Sequence, residues 1–158
     1  MVSAVYGFAG TLLSVLQELN PTHAIVTLDV GRVTFRHEIA ETYKATRAAM
    51  PDELRAQMAR CRQLIDAFGI PIYELEGYEA DDLLGTLSRQ AVEQGIDTFL
   101  VSLDSDIAQL VRPSVHLWMY RPYQRDSVVY LTEEDVERRY GVRPRQMPDL
   151  KGLKGDPS

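Results

Sequence analysis

The stretch "EGYEADDLLGTL", residues 76–87, sets Glu79, Asp81 and Asp82 within four positions, directly ahead of an apolar helical pattern. Ala80, Leu83, Leu84, Leu87 and Ala91 recur at helical spacing and Gly95 supplies a terminator, so an amphipathic helix starts near Glu79. Carboxylates in a first turn complement the helix dipole, each worth about 0.3–1 kcal/mol at an exposed site. They also suit a bound cation. What lies on either side of the stretch decides between the two.

Working outward, "IPIYEL" (70–75) reads as a strand ahead of this helix, and "TFLVSL" (98–103) as the strand after it. Upstream, Leu54, Met58, Cys61, Ile65 and Phe68 form a helical stripe closed by Gly69. "AIVTL" (24–28) is a short buried strand, and residues 4–19 form an amphipathic helix carrying Val5, Phe8, Leu12, Val15, Leu16 and Leu19. Between residue 29 and Pro51 the chain is polar, basic and poorly periodic, a partly helical excursion. Downstream come a short helix at "DIAQLV", strands at 115–119 and 127–131, and a capping-box start at Thr132 and Asp135 for a helix closed by Gly141. Helices alternating with short apolar strands predict an α/β fold with a largely parallel twisted sheet flanked by helices.

Bulk properties narrow the class. The 158 residues suit one domain. No apolar run approaches the ~20 residues of a membrane-spanning helix, and the N-terminus lacks the basic start of a secretory signal. Cys61 is the single cysteine, which excludes an internal disulfide, fits a reducing cytoplasm and reads as a small core residue. A net charge of −6 counts against general nucleic-acid binding, less so where the acids are gathered at a metal site.

In open α/β sheets, functional groups collect at the carboxyl ends of strands. Asp29 follows the first strand, Glu79, Asp81 and Asp82 open a helix after the second, and Asp104 and Asp106 follow the third. Each has a local reading: Asp29 as a turn residue before Gly31, Asp104 as an Asx-turn, Asp106 as the N-cap of "IAQLV", and the Glu79 group as a partner of the helix dipole. Taken together, six acids from three segments would repel one another and raise their pKa values unless a cation joined them. An all-oxygen set suits the hard ions Mg²⁺ and Mn²⁺, and carboxylate-held metals suit phosphodiester hydrolysis. Arg36, Lys44 and Arg47 in the excursion are candidates to grip a phosphate; on a helix Lys44 and Arg47 would share a face, and a solvated basic face is the alternative. Tyr43 could stack on a base. His37 has no second His or Cys at zinc spacing, and there is no phosphate-binding Gly loop, dinucleotide fingerprint or GxSxG.

Beyond these spacings, "AVYGF", "DVGRVTFRHE", "YKATR", "MPDELR", "LEGYEADDLLGTL", "LDSDIAQLV", "YLTEEDVERRYGV" and "DLKGLKGDPS" occur in the order found in another family. Through them the chain resembles the 5′ nuclease family of 5′-3′ exonucleases and flap endonucleases, as found at the N-terminus of bacterial DNA polymerase I. The resemblance implies a PIN-like core with a helical arch over residues 32–53 and a site binding two Mg²⁺ ions, with Mn²⁺ as a substitute. Asp156 would join the six acids as a metal ligand. Lys44 and Arg47 would act on the scissile phosphate from the arch, with Arg36 and Tyr43 in substrate binding. The implied reaction is hydrolysis of phosphodiester bonds in DNA with 5′ single-stranded ends, flaps or RNA primers during replication and repair, alongside a DNA polymerase in the bacterial cytoplasm and nucleoid. A PIN-type ribonuclease is a weaker relative reading.

The departures define a second reading. The family begins with a further strand bearing a metal-binding Asp and continues past "GD.S" into another metal Asp and a helix–hairpin–helix region, whereas this sequence runs from Met1 to Ser158. The expectation is therefore a single core domain, residues 1–158, truncated at both ends, whose unpaired strands invite self-association. Leu103 and Ser105 replace a usual Gly and Lys, and Pro148 falls where a helix interior would lose ~3 kcal/mol. A catalytically incomplete remnant that binds DNA junctions or a protein is the alternative function.

Overall fold

The computed structural model describes residues 3–31, 33–41, 43–45, 50–120 and 128–155. Two compact units divide the chain, Met1–Leu83 and Leu84–Ser158.

The first unit runs α1 (Ser3–Leu19), β1 (Val26–Thr27), α2 (Phe35–Ile39), α3 (Asp52–Ala67), β2 (Ile72–Tyr73) and the opening turn of α4 (Ala80–Glu93). Helix α1 packs on α3, and the Ala4 N–H at its free start donates to Gln57 Oε1 on α3 at 2.9 Å. β1 and β2 pair in parallel, Val26 with Ile72 and Thr27 with Tyr73. The apolar runs predict five- and six-residue strands here, and two residues of each pair. Of the predicted α3 stripe, Cys61 and Ile65 are buried while Met58 and Phe68 stay exposed. Gly69 ends the helix at φ 68°. Burial raises the Cys61 thiol above its ordinary pKa, which keeps it protonated, as a core residue should be.

The second unit contains the rest of α4, β3 (Thr98–Val101), a 3₁₀ turn at Ser105–Leu110, β4 (Val115–Tyr120), β5 (Val128–Leu131), α5 (Glu133–Tyr140), a 3₁₀ turn at Pro144–Gln146, and α6 (Met147–Lys154). β3 and β4 are parallel, with Leu100 opposite Leu117; β4 and β5 are antiparallel, with Leu117 opposite Leu131. Two of the three strand pairings described are thus parallel. Leu117, Trp118 and Met119 are consecutive and all buried, which marks β4 as covered on both faces. Leu117 and Met119 belong to one core with Ile107, Val115, Val136 and Met147.

Local signals set the ends of α5. Thr132 Oγ1 accepts from the Asp135 N–H and the Asp135 carboxylate accepts from the Thr132 N–H, and Gly141 closes the helix in the left-handed region at φ 74°. The expected cost of Pro148 does not arise. α6 begins at Met147, so Pro148 occupies the first turn, where no intrahelical N–H is required.

Replacing Leu117 with Ala should cost about 2–5 kcal/mol through the cavity it leaves, and Thr132→Ala about 1 kcal/mol through removal of the cap. Urea unfolding followed by fluorescence of the single Trp118 measures both; equal losses would contradict this division between core and cap.

Candidate functional site

The excursion after β1 is tied to the loop before α4 by backbone. Thr34 and Gly77 form a parallel bridge, and the Phe35 N–H donates to the Gly77 carbonyl at 3.0 Å. Gly77 sits at φ 83°, a conformation that disfavours side chains. The Phe35 ring lies 5.5 Å from that of Tyr78. These contacts bring the next residue, Arg36, to Asp82: Nη1 to Oδ2 and Nη2 to Oδ1, both 2.7 Å. This is the two-pronged geometry that suits a guanidinium to a carboxylate.

Three carboxylates gather around the α4 start. Asp82 Oδ2 accepts from the Glu79 N–H at 3.0 Å, and Asp29 Oδ1 accepts from the Ala80 N–H at 2.6 Å. Donors that a helix cannot pair internally are met by acids. Glu79 takes Lys44 Nζ at 2.9 Å and the Tyr43 hydroxyl at 3.2 Å on its Oε2. The Tyr43 ring meets His37 edge-on at 5.4 Å. Asp81 is exposed in the first turn. Lys44 itself lies in a turn with a left-handed backbone, φ 53°, rather than in a helix. Arg47, expected beside it, lies outside the described residues.

Charges follow the same pairing. The hydrogen bond from Arg36, against partial burial, holds the Asp82 carboxyl below its ordinary value, with the Glu79 N–H and Lys44 helping. The Arg36 guanidinium is raised in return, first through that bond. Partial burial pulls the Lys44 ammonium down, but the bond and charge of Glu79 outweigh it and the net shift is upward. The expectation that mutual repulsion raises the acids is therefore corrected at Asp82: protein cations already balance it.

In the second unit Asp104, not Asp106, caps the 3₁₀ turn. Its Oδ1 accepts from the Asp106 N–H at 2.8 Å, and its own N–H donates to Ser102 Oγ at 3.0 Å. Asp106 Oδ1 lies 2.6 Å from Lys151 Nζ. Sequence reasoning misses Lys151; its place in the last turn of α6, within the quoted "DLKGLKGD", is the available signal. Asp156 lies outside the described residues. Among the described residues no three His, Cys, Asp or Glu side chains gather closely enough to hold a metal ion.

Comparison with known proteins places the chain. The family model "5′-3′ exonuclease, N-terminal resolvase-like domain" matches residues 1–141. The chain belongs to this 5′-3′ exonuclease family. Among its relatives, DNA polymerase I of Chloroflexus aurantiacus is 50% identical over 157 residues, covering 98% of this chain and 17% of the polymerase. DNA polymerase I of Bacillus subtilis is 43% identical over 156 residues, covering 99% and 18%. The chain thus spans less than a fifth of the length of these relatives. A solved structure of T5 5′-exonuclease with bound zinc ions superposes with a TM-score of 0.73 at 23% identity, covering 96% of this chain and 58% of that one. The catalytic core of Rad2 with DNA gives 0.58 at 16% identity, covering 96% and 45%. These two likenesses establish the fold, which mixes helices with parallel strands.

For this member of the family, the first-unit acids offer only carboxylate oxygens, the donor type that Mg²⁺ and Mn²⁺ prefer. In the described arrangement Glu79 and Asp82 are already engaged by Lys44 and Arg36, so a metal would have to draw them from those partners.

Because Asp82 binds its proton more weakly folded than unfolded, its contribution to stability is intact above the ordinary value of 3.8 and drains as pH falls through the lowered folded value. Arg36→Gln should cost about 1 kcal/mol at pH 7, a figure reduced for solvent screening, and should flatten the acid limb of stability against pH. Urea titrations at a series of pH values test this; an unchanged acid limb refutes the assignment.

Proposed function

We propose that this chain is the core of a metal-dependent 5′-3′ exonuclease or 5′-flap endonuclease, hydrolysing phosphodiester bonds near 5′ ends, flaps or RNA primers. The observation that carries the reading is the family match over residues 1–141, with matched relatives that are DNA polymerases. The site chemistry supports it, since Asp29, Glu79, Asp81 and Asp82 supply hard oxygen ligands beside Arg36, Tyr43 and Lys44, which can meet a phosphate and a base. In the second unit Asp104 and Asp106 are proposed ligands, and Arg47 and Asp156 extend the proposal by resemblance. The cation is proposed to be Mg²⁺, which when bound acidifies a water and offsets charge on the attacked phosphate. The Lys44 side chain, kept as an ammonium by Glu79, would hold the phosphate, and Tyr43 would stack against a terminal base. Action beside a DNA polymerase in the bacterial cytoplasm and nucleoid belongs to the same proposal. Among the described residues no helix is long and apolar enough to cross a membrane.

One observation favours the binding-only alternative: Arg36 and Lys44 already neutralise Asp82 and Glu79, as they would in a charge-paired scaffold. Cleavage of an end-labelled 5′-flap duplex in Mg²⁺ or Mn²⁺, against EDTA, separates the two. Asp81→Asn should reduce cutting by more than the roughly 10–100-fold typical of removing a group that only supports a ligand, and Lys44→Ala by about 10²–10³-fold. Full activity in Asp81→Asn would refute the ligand assignment. A folded chain that binds the duplex and cuts in neither metal would establish the alternative.

A further inference from the structure

A cavity of about 330 Å³ in the second unit is lined by Arg112, Arg143 and Arg145 together with Leu110 and Pro144, and Glu133 is the one carboxylate in its lining. Three arginines line it against Glu133, and with Glu137, which pairs with Arg143 at 4.0 Å, two carboxylates face three cations, a small local excess of positive charge on a chain whose net charge is −6. None of these residues belongs to the candidate metal or phosphate residues described above.

The arginines stand on fixed backbone. Arg112 sits in a tight turn closed in both directions: its N–H donates to Val115 O at 3.1 Å, and the Val115 N–H returns to Arg112 O at 2.8 Å. Its Nη2 donates to Ser88 Oγ at 3.3 Å, and the Ser88 hydroxyl donates onward to Gly85 O at 3.1 Å. Ser88 is 2% exposed, so a buried hydroxyl in α4 steadies this guanidinium. The Arg143 N–H donates to Gln146 Oε1 at 3.1 Å, and buried Pro144 and Met147 flank Arg145 and Gln146. The Arg143 side chain is 63% exposed, and its ion pair with Glu137 is long, at 4.0 Å, so an incoming anion can compete for it. Planar guanidiniums match the oxygens of a phosphate, and groups held in place lose less freedom on binding.

We propose that this cavity is an accessory phosphate site that takes a backbone phosphate of a nucleic-acid strand. The choice of a strand as ligand rests on the nuclease reading; the phosphate chemistry does not. Affinity of the whole chain for a fluorescent 5′-flap duplex, measured in EDTA across a salt series, tests it without cleavage. The double variant Arg143→Ala/Arg145→Ala should bind several-fold more weakly, with its salt slope smaller by about one for each phosphate left without its arginine. Arg143→Lys/Arg145→Lys should retain most of the slope, and Glu133→Gln should tighten binding. Inorganic phosphate, against chloride at equal ionic strength, should shift the arginine Nε–H signals in nitrogen-resolved NMR spectra. An unchanged slope in the alanine variant, or no duplex binding at low salt, overturns the proposal. Phosphate-induced shifts without any effect on duplex affinity also overturn it, because they would assign the cavity to a free ion. Binding in EDTA does not depend on a metal, so loss of cleavage in the flap assay leaves these outcomes readable and the two proposals fail separately.

Discussion

The amino end of α4 has more hydrogen-bond donors than its own helix can satisfy and more negative charge than its neighbours in sequence can balance. Both deficits are met from far along the chain. Asp29, 51 positions earlier, takes the Ala80 N–H, and Arg36, 46 positions before Asp82, takes both of its oxygens. The loop after β1, helix α2 and the start of α4 are thereby fixed to one another. Helix-end donors and charges that are partly shielded from water are costly to leave unpaired, and the Asp82 contacts with Arg36 and the Glu79 N–H are part-buried.

The acids that hold this structure are also the ones proposed to carry the chemistry, and that dual use defines the proposed mechanism. In the proposed reading, Glu79 and Asp82 would hold the cation, and Lys44 and Arg36, which now pair with them, would meet phosphate oxygens. Each group would then keep a partner of opposite charge. A site arranged in this way need not expose bare charge before substrate arrives, which limits the desolvation penalty that isolated ions incur.

Periodicity and end signals are readable because they are local. The α1 and α4 helices, the Thr132 box and the Gly141 terminator appear where their residues place them. Strands in the first unit are shorter than their apolar runs because a run such as "AIVTL" records burial tendency, whereas a strand exists only as far as a neighbour pairs with it. Pro148 lies in the first turn of its helix and not in the interior that the sequence suggests, and a proline's cost depends on where the helix begins. In the candidate site, the acids can be named from their positions after strands. Their partners cannot, because pairings such as Arg36 with Asp82 or Lys151 with Asp106 leave no periodic trace. Asp104 illustrates the limit well: it is a proposed ligand whose local role, capping the Asp106 N–H, is also fulfilled.

The two units differ sharply in how much apolar material they enclose. Among the described residues, Cys61, Ile65 and Ile70 are the buried hydrophobics of the first, whereas the second buries Leu100, Ile107, Leu117, Trp118, Met147 and several more. Opening free energy follows buried contacts, and regions with few of them exchange their amides through partial unfolding. Backbone deuterium uptake should therefore sort into two populations, with β3 and β4 protected longest and β1 and β2 exchanging through a lower-energy opening. On that basis the carboxylates at the head of α4 belong to the unit expected to open at the lower free energy, and a cation held there would be recorded as slower exchange across that unit.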